Sequence, residues 1–176
     1  MSELRKADFD AVFFVTLTVV NWIDVFSRQE YVDLLVKNLQ FCQQNKGLEI
    51  YAYVVMTNHL HIVAGQQEGR LHDVLSDFKS YTAKIILAAI NVNPKESRKD
   101  WLLYMFRFNA KLKQQYQQYH FWQATNHAIA LTSPAMLMQK INYTHQNPVR
   151  AGYVLEAEHW QYSSANAFSP LRVMEI

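Results

Sequence analysis

An α+β fold is predicted: a ferredoxin-like antiparallel sheet with helices on one face. Three observations predict it. Strand-like and helix-like periodicities follow the order β-α-β-β-α-(insertion)-β-α. The second and third strand patterns are joined by a very short link, which suits an antiparallel hairpin. The composition supports one buried core: 50% of the 176 residues are hydrophobic and 18% charged, where a quarter charged is usual. That balance excludes wholesale disorder. The length suits a single domain over residues 1–176, with an insertion at 91–118.

The first strand is Ala11–Val20, rich in Val, Phe and Thr. Phe14, Thr16 and Thr18 share one face, and Phe13, Val15, Leu17 and Val19 the other. Neither face is clearly wet. The run is too short to span a bilayer as a helix. Asp8 and Asp10 before it, and the lack of a small-residue cleavage site after it, favour a buried strand over a secretory leader. Arg28–Asn45 follows as an amphipathic helix. Tyr31, Leu34, Leu35, Leu39 and Cys42 form its core stripe. Ser27 and Glu30 form a capping-box pattern, and Gly47 ends the helix. Leu48–Met56 is the second strand, Thr57–Asn58 a turn, and Leu60–Ala64 the third strand. Leu71–Ile90 is a long helix, with Leu71, Val74, Leu75, Phe78, Thr82, Ile85 and Ala89 at helical spacing.

Residues 91–118 break the pattern. They read as loop, short helix and loop, laid on the surface. His127–Leu131 is the fourth strand. Ser133–Pro134 then looks like an N-cap with proline at the first helical position. This helix runs to about Asn147, where Pro148 stops it. The tail is turns around Trp160 and Tyr162.

Cys42 is the only cysteine, so an intrachain disulfide and a cysteine-based zinc cluster are both excluded. The expected address is the cytoplasm, with no membrane partner. Lys plus Arg number 17 against 15 acidic residues, a net charge of +2. This is no basic tail, but it permits a local nucleic-acid groove.

His59 and His61 lie in NHLHIV. At strand spacing both imidazoles leave one sheet face, while Leu60 and Ile62 enter the other. Two parallel neutral imidazoles can grip one divalent ion. They can equally be two satisfied polar residues at a strand rim, and spacing alone leaves both readings open. Tyr143 and Asn147, in KINYTHQNPVRAG, are four residues apart and share a helix face. A phenol there can act as a nucleophile once a metal or base helps it, and an amide oxygen can join a metal. Ordinary packing for Tyr143 and helix termination at Asn147 also stay open.

NHLHIV resembles the His-hydrophobic-His motif of the IS200-like single-tyrosine HUH transposases. YTHQNPVRAG, with the later HWQYSSA, resembles the C-terminal signature of their relatives, the repeat-associated tyrosine transposases. Phe121–Gln123 matches as well, and the likeness runs from about Phe13 to Ala167. It implies an HUH endonuclease-like fold. It implies His59, His61 and Asn147 as ligands of Mg²⁺ or Mn²⁺, and Tyr143 as the nucleophile. The implied reaction nicks single-stranded DNA near a hairpin through a 5′-phosphotyrosine, and transfers the strand without ATP. Thr57 departs from the proline that relatives often carry before the Asn-His pair. Insertion-sequence members resemble swapped homodimers and some repeat-associated members monomers, so the oligomeric state stays open.

A single-stranded DNA partner with a stem-loop, met in the nucleoid, needs phosphate contacts and stacking surfaces. Arg150, directly after the tyrosine helix, is the foremost phosphate candidate. Lys79, Lys84, Arg107 and Lys111 join it, with Arg98, Lys99 and Lys113 behind them. Tyr81, Trp101, Tyr116 and Tyr119 are the stacking candidates. The alternative function is a host-tamed repeat-binding DNA protein or regulator that kept the fold without mobility. A metal hydrolase using water as nucleophile is a third reading.

Overall fold

The structure, a computed structural model, describes residues 11–112 and 118–175. Four strands form one antiparallel sheet in the order β2-β3-β1-β4. They are β1 Phe13–Thr18, β2 Leu48–Val55, β3 His59–Gln66 and β4 His127–Ala130. β2 and β3 make the expected hairpin. Lys113 and Tyr116, two of the DNA-contact candidates, lie outside the described residues.

The pairing of β1 with β3 sets Phe14 opposite Val63, Thr16 opposite His61 and Thr18 opposite His59. All six residues of β1 are buried, which requires cover on both sheet faces. One face carries Phe13, Val15 and Leu17 with Leu60, Ile62 and Ala64 into the main core. A bulge at Tyr51 shifts the β2 register between Ile50 and Ala52. Ile50, Tyr53 and Val55 thereby all reach that same core.

Two helices cover this face: α1 Gln29–Lys46 and α2 Leu71–Val92. α1 buries Tyr31, Val32, Leu35, Val36, Leu39 and Cys42, so Leu34 is only half-buried. Gly47 ends it at φ 66, its N–H bonded to the Cys42 carbonyl. The expected capping box does not form. Ser27 belongs to a preceding short turn, where its hydroxyl donates to the Asp24 carbonyl at 3.0 Å. Arg28 takes the cap position, and its side chain makes no capping bond. Glu30 instead accepts from Asn93 Nδ2 at 2.9 Å. α2 follows its stripe to Thr82 and then buries Ile86, Leu87 and Ile90, leaving Ile85 and Ala89 half-buried.

The sequence pattern places residues 91–118 on the surface. The helix within them, α3, Lys99–Lys111, instead sends Leu102, Leu103 and Phe106 into the main core. The link before it is held by Glu96, which binds Arg28 at 2.7 Å and Arg98 at 3.3 Å. Burial opposes ionisation of Glu96, but the Arg98 N–H and the two guanidinium groups outweigh it and hold its carboxyl below the usual range.

The last helix corrects two expectations. α4, Pro134–Arg150, starts as foreseen: Ser133 Oγ accepts the Met136 N–H, with proline in the first turn. It does not stop at Pro148, which sits buried inside its last turn. Proline sacrifices one helical N–H there, and the helix continues only to Arg150, so little of the ladder is lost. The second correction concerns placement. α4 packs on the sheet face opposite α1 and α2, where Ile141 joins Phe14, Ala52 and Val63 in a small second core. Helices therefore flank both faces, and the face expected to be open carries α4.

The tail seals the sheet edge at β2. Val55 N–H donates to the Tyr162 carbonyl at 2.9 Å, and Ser164 N–H to the Tyr53 carbonyl at 3.0 Å. Trp160 Nε1 donates to the Val55 carbonyl at 2.9 Å. An exposed strand edge invites unwanted pairing, and this strap removes it. Among the described residues no helix is long and apolar enough to cross a membrane.

Candidate functional site

Strand alternation places His59 and His61 side by side on the α4 face, ring centroids 4.6 Å apart. The β1 register supplies the His61 partner: Nδ1 shares a 2.8 Å hydrogen bond with Thr16 Oγ1. His59 Nδ1 lies 2.7 Å from Asn58 Oδ1. The Asn58 amide is itself oriented, because its Nδ2 donates to the Trp22 carbonyl at 3.2 Å and to Asp24 Oδ1 at 2.9 Å. Its oxygen must then face His59, so His59 Nδ1 carries the proton and donates. Nε2 of His59 keeps its lone pair.

Burial pushes the His59 imidazolium down to about 4, opposed in part by a hydrogen bond with the Asn147 side chain. Burial pushes His61 down to about 3, with the His59 and Lys140 charges adding to it. Both rings are therefore neutral at pH 7.

α4 brings a second set of groups. Lys140, Tyr143, Asn147 and Arg150 recur at spacings of three, four and three, one face of a helix. The Tyr143 ring stands 5.5 Å from the His61 ring and 5.6 Å from Phe14. Phe14 stacks on His61 at 5.2 Å and forms the floor between them. Two cations border the phenol ring: Lys140 Nζ at 5.4 Å and the Arg150 guanidinium at 5.2 Å. His145 turns away and bonds Ser164 Oγ at 2.8 Å.

The sheet thus brings His59, His61, Tyr143, Asn147 and Arg150 together within one chain. The remaining basic candidates are elsewhere. Lys79 is bound to the Gln123 carbonyl and to Asn126 Oδ1, both at 2.7 Å, and burial lowers its ammonium to about 8. Its role in the structure is to tie down the chain before β4. Lys84 and Tyr81 line a groove between α1 and α2, on the far side of the sheet. Arg107 is exposed on α3 and donates twice to the Tyr119 hydroxyl, at 3.0 and 2.9 Å. Lys111 is exposed at the end of α3. Arg98 is committed to Glu96, the Asp24 carbonyl and Ser27.

Sequence reasoning missed Lys140, Asn58 and Trp22. Lys140 was findable, one helical turn before Tyr143. By sequence Asn58 is only a turn residue. Trp22 gave no signal, since only the tertiary fold sets its ring 5.6 Å from that of His59.

Among the described residues no cluster of three or more His, Cys, Asp or Glu side chains could hold a metal. The donors at this site are two imidazoles and one amide. Such a borderline set fits a first-row divalent ion and leaves positions open for water or phosphate oxygens. The hydrogen bonds at Nδ1 hold both rings and leave Nε2 of His59 unprotonated.

No family profile matches the chain, and no curated protein matches it. Solved structures do. A REP-associated tyrosine transposase bound to a REP hairpin superposes with a TM-score of 0.65 at 18% identity, covering 100% of this chain and 95% of that one. A candidate transposase from Deinococcus radiodurans gives a TM-score of 0.44 at 14% identity, covering 78% of this chain and 94% of that one. The chain shares the fold of the first, a mixed α+β architecture with a four-stranded antiparallel sheet and flanking helices.

Proposed function

We propose that the chain nicks and rejoins single-stranded DNA beside a stem-loop, with Tyr143 as nucleophile. The observation that carries this is the packing of the Tyr143 ring beside His61, centroids 5.5 Å apart, with His59 next to it in the same chain. The shared fold with a hairpin-bound tyrosine transposase supports it.

In the proposed step the Tyr143 oxygen attacks a backbone phosphorus. The phenol proton leaves, a Tyr–O–P bond forms, and the P–O3′ bond breaks. The departing 3′ oxygen takes up a proton and becomes a 3′-OH. The 5′ end of the downstream strand is left on the tyrosine. One phosphodiester is exchanged for another, so a second 3′-OH can reverse the step without ATP.

His59 and His61, with the amide of Asn147, would hold Mg²⁺ or Mn²⁺. When bound, that ion polarises a non-bridging phosphate oxygen. Asn58 and Thr16 fix the imidazole rings so that Nε2 faces the site. Arg150 contacts the phosphate entering over the phenol ring. Lys140 and Arg150 favour the negative charge that the phenol oxygen carries once its proton leaves and before the O–P bond forms.

A denaturing gel of the protein with a labelled stem-loop oligonucleotide and Mn²⁺ tests the proposal. A covalent protein–DNA band is expected. Tyr143→Phe removes it and keeps DNA affinity within about threefold, because the ring stays and a single hydroxyl contributes only about 0.5–1.5 kcal/mol at most. Strand cleavage that survives Tyr143→Phe without an adduct points instead to water as the nucleophile.

A further inference from the structure

After β1 the chain crosses the rim of the histidine pair through Val19–Ile23. Asn21 and Trp22 lie there at φ 53 and φ 55, consecutive left-handed residues, neither of them glycine. Asparagine tolerates this conformation, but a bulky tryptophan rarely adopts it, and such strain persists only where the surroundings enforce it. Three bonds enforce it here. Trp22 N–H donates to the Val19 carbonyl at 3.0 Å. The Trp22 carbonyl accepts from Asn58 Nδ2 at 3.2 Å. Asn21 Nδ2 donates to Asn109 Oδ1 at 3.1 Å, which ties the loop to α3.

The held loop places the Trp22 indole against His59, ring centroids 5.6 Å apart and planes at 73°. The side chain gains little burial from this position, for Trp22 remains 57% exposed. Core packing therefore does not account for a strained backbone that holds a large aromatic at the mouth of the site. The indole is flat and accessible. It stands next to one imidazole, while the cations Lys140 and Arg150 border the phenol on α4. Aromatic surface beside positive charge is the combination that takes a single strand, base on ring and phosphate on cation.

We propose that Trp22 is a stacking platform for one nucleobase of the single strand, in a nucleotide flanking the phosphate presented to Tyr143. The proposal rests on the strand-nicking reading of the same site. A stack on Trp22 turns the backbone of that nucleotide toward the histidines. The base is gripped by its π-face, so the contact tolerates any base and selects for an unpaired one.

Binding of a fluorescent stem-loop with a single-stranded flank, in chelator without divalent ion, tests this apart from catalysis. An abasic site is moved along the flank, one position at a time. Trp22→Ala weakens binding to intact DNA by about tenfold, the usual scale for one lost base stack. At one position the abasic site weakens wild type by a similar factor and has no further effect on Trp22→Ala. Trp22→Phe keeps most of the affinity. As a check without substitution, 2-aminopurine at that position is quenched when wild-type protein binds. Losses that multiply at every position, or the absence of a quenched position, overturn the proposal.

The adduct assay on the same DNA separates the two ideas. A Tyr143-dependent adduct without coupling to Trp22 sinks the platform alone. Coupling without an adduct sinks nicking and leaves the platform. Absence of single-strand binding sinks both.

Discussion

Asn58→Ala is the perturbation that most directly probes how the site is built. It removes the 2.7 Å acceptor of His59 Nδ1 and the two donations from Nδ2 to Trp22 and Asp24. Each bond contributes about 0.5–1.5 kcal/mol net, and water reaches this half-buried turn, so stability falls by about 1–2 kcal/mol. The larger effect falls on the ring. Without its acceptor, the His59 imidazole can rotate and take either tautomer. Loss of such an outer-shell partner typically weakens metal binding by about 10–100-fold. Asn58→Asp keeps an acceptor oxygen and keeps most of the affinity. Titration of Mn²⁺ into DNA-free protein, following the free-ion electron paramagnetic resonance signal, measures this directly. Thermal unfolding of each variant without metal checks that the fold persists. If Asn58→Ala binds Mn²⁺ within about twofold of wild type, while His59→Ala does not bind it, orientation by Asn58 is refuted.

Two further outcomes follow from the same geometry. The folded protein holds His59 and His61 neutral down to about 4 and about 3, whereas the unfolded chain protonates them near 6.5. The unfolded state therefore binds more protons below that value. This contribution is complete above pH 6.5 and is lost as pH falls toward 4. His59 alone accounts for on the order of 3 kcal/mol of that loss. Urea unfolding of metal-free protein between pH 7 and 4 should show this slope, and replacing both histidines with asparagine should flatten it; an equal slope in that double variant contradicts the assignment. Arg150→Ala should weaken DNA binding evenly across sequences and reduce the slope of log affinity against log salt by about 1. An unchanged slope would mean that Arg150 touches no phosphate.

Every strand and the two long helices on the main core were legible in the sequence, including the short β4. β1, the β2–β3 hairpin, α1 and α2 all appear within a few residues of their expected bounds. What failed was decided by tertiary contacts. Ser27 carries a cap signature, but its hydroxyl is taken by the preceding turn. Pro148 is a helix breaker by local chemistry, yet the helix runs one short step past it. The apolar residues of WLLYMF were legible as apolar, but nothing local shows that Leu102, Leu103 and Phe106 find a place beside α2. The pairing of His59 with His61 needs only strand alternation, so spacing revealed it. The side of the sheet that α4 occupies is a long-range fact, and with it the meeting of Tyr143 with His61.

One buried and one half-buried imidazole, His61 and His59, can persist at this site because of the strand register that carries them. Phe13, Val15 and Leu17 pair with Ala64, Ile62 and Leu60, all at most 2% exposed. Burying each such large side chain contributes about 1.5–3 kcal/mol. A slip of β3 by one residue against β1 would turn Leu60, Ile62 and Ala64 outward and carry His59 and His61 into the apolar core. It would also set an aliphatic residue opposite His61, where Thr16 now supplies its hydrogen bond. The apolar pairs on one face therefore outweigh the penalty of keeping polar rings dry on the other, and they fix those rings in place. The placement of the site is thus decided by Val15 and Ile62 on the far face, residues with no chemistry of their own.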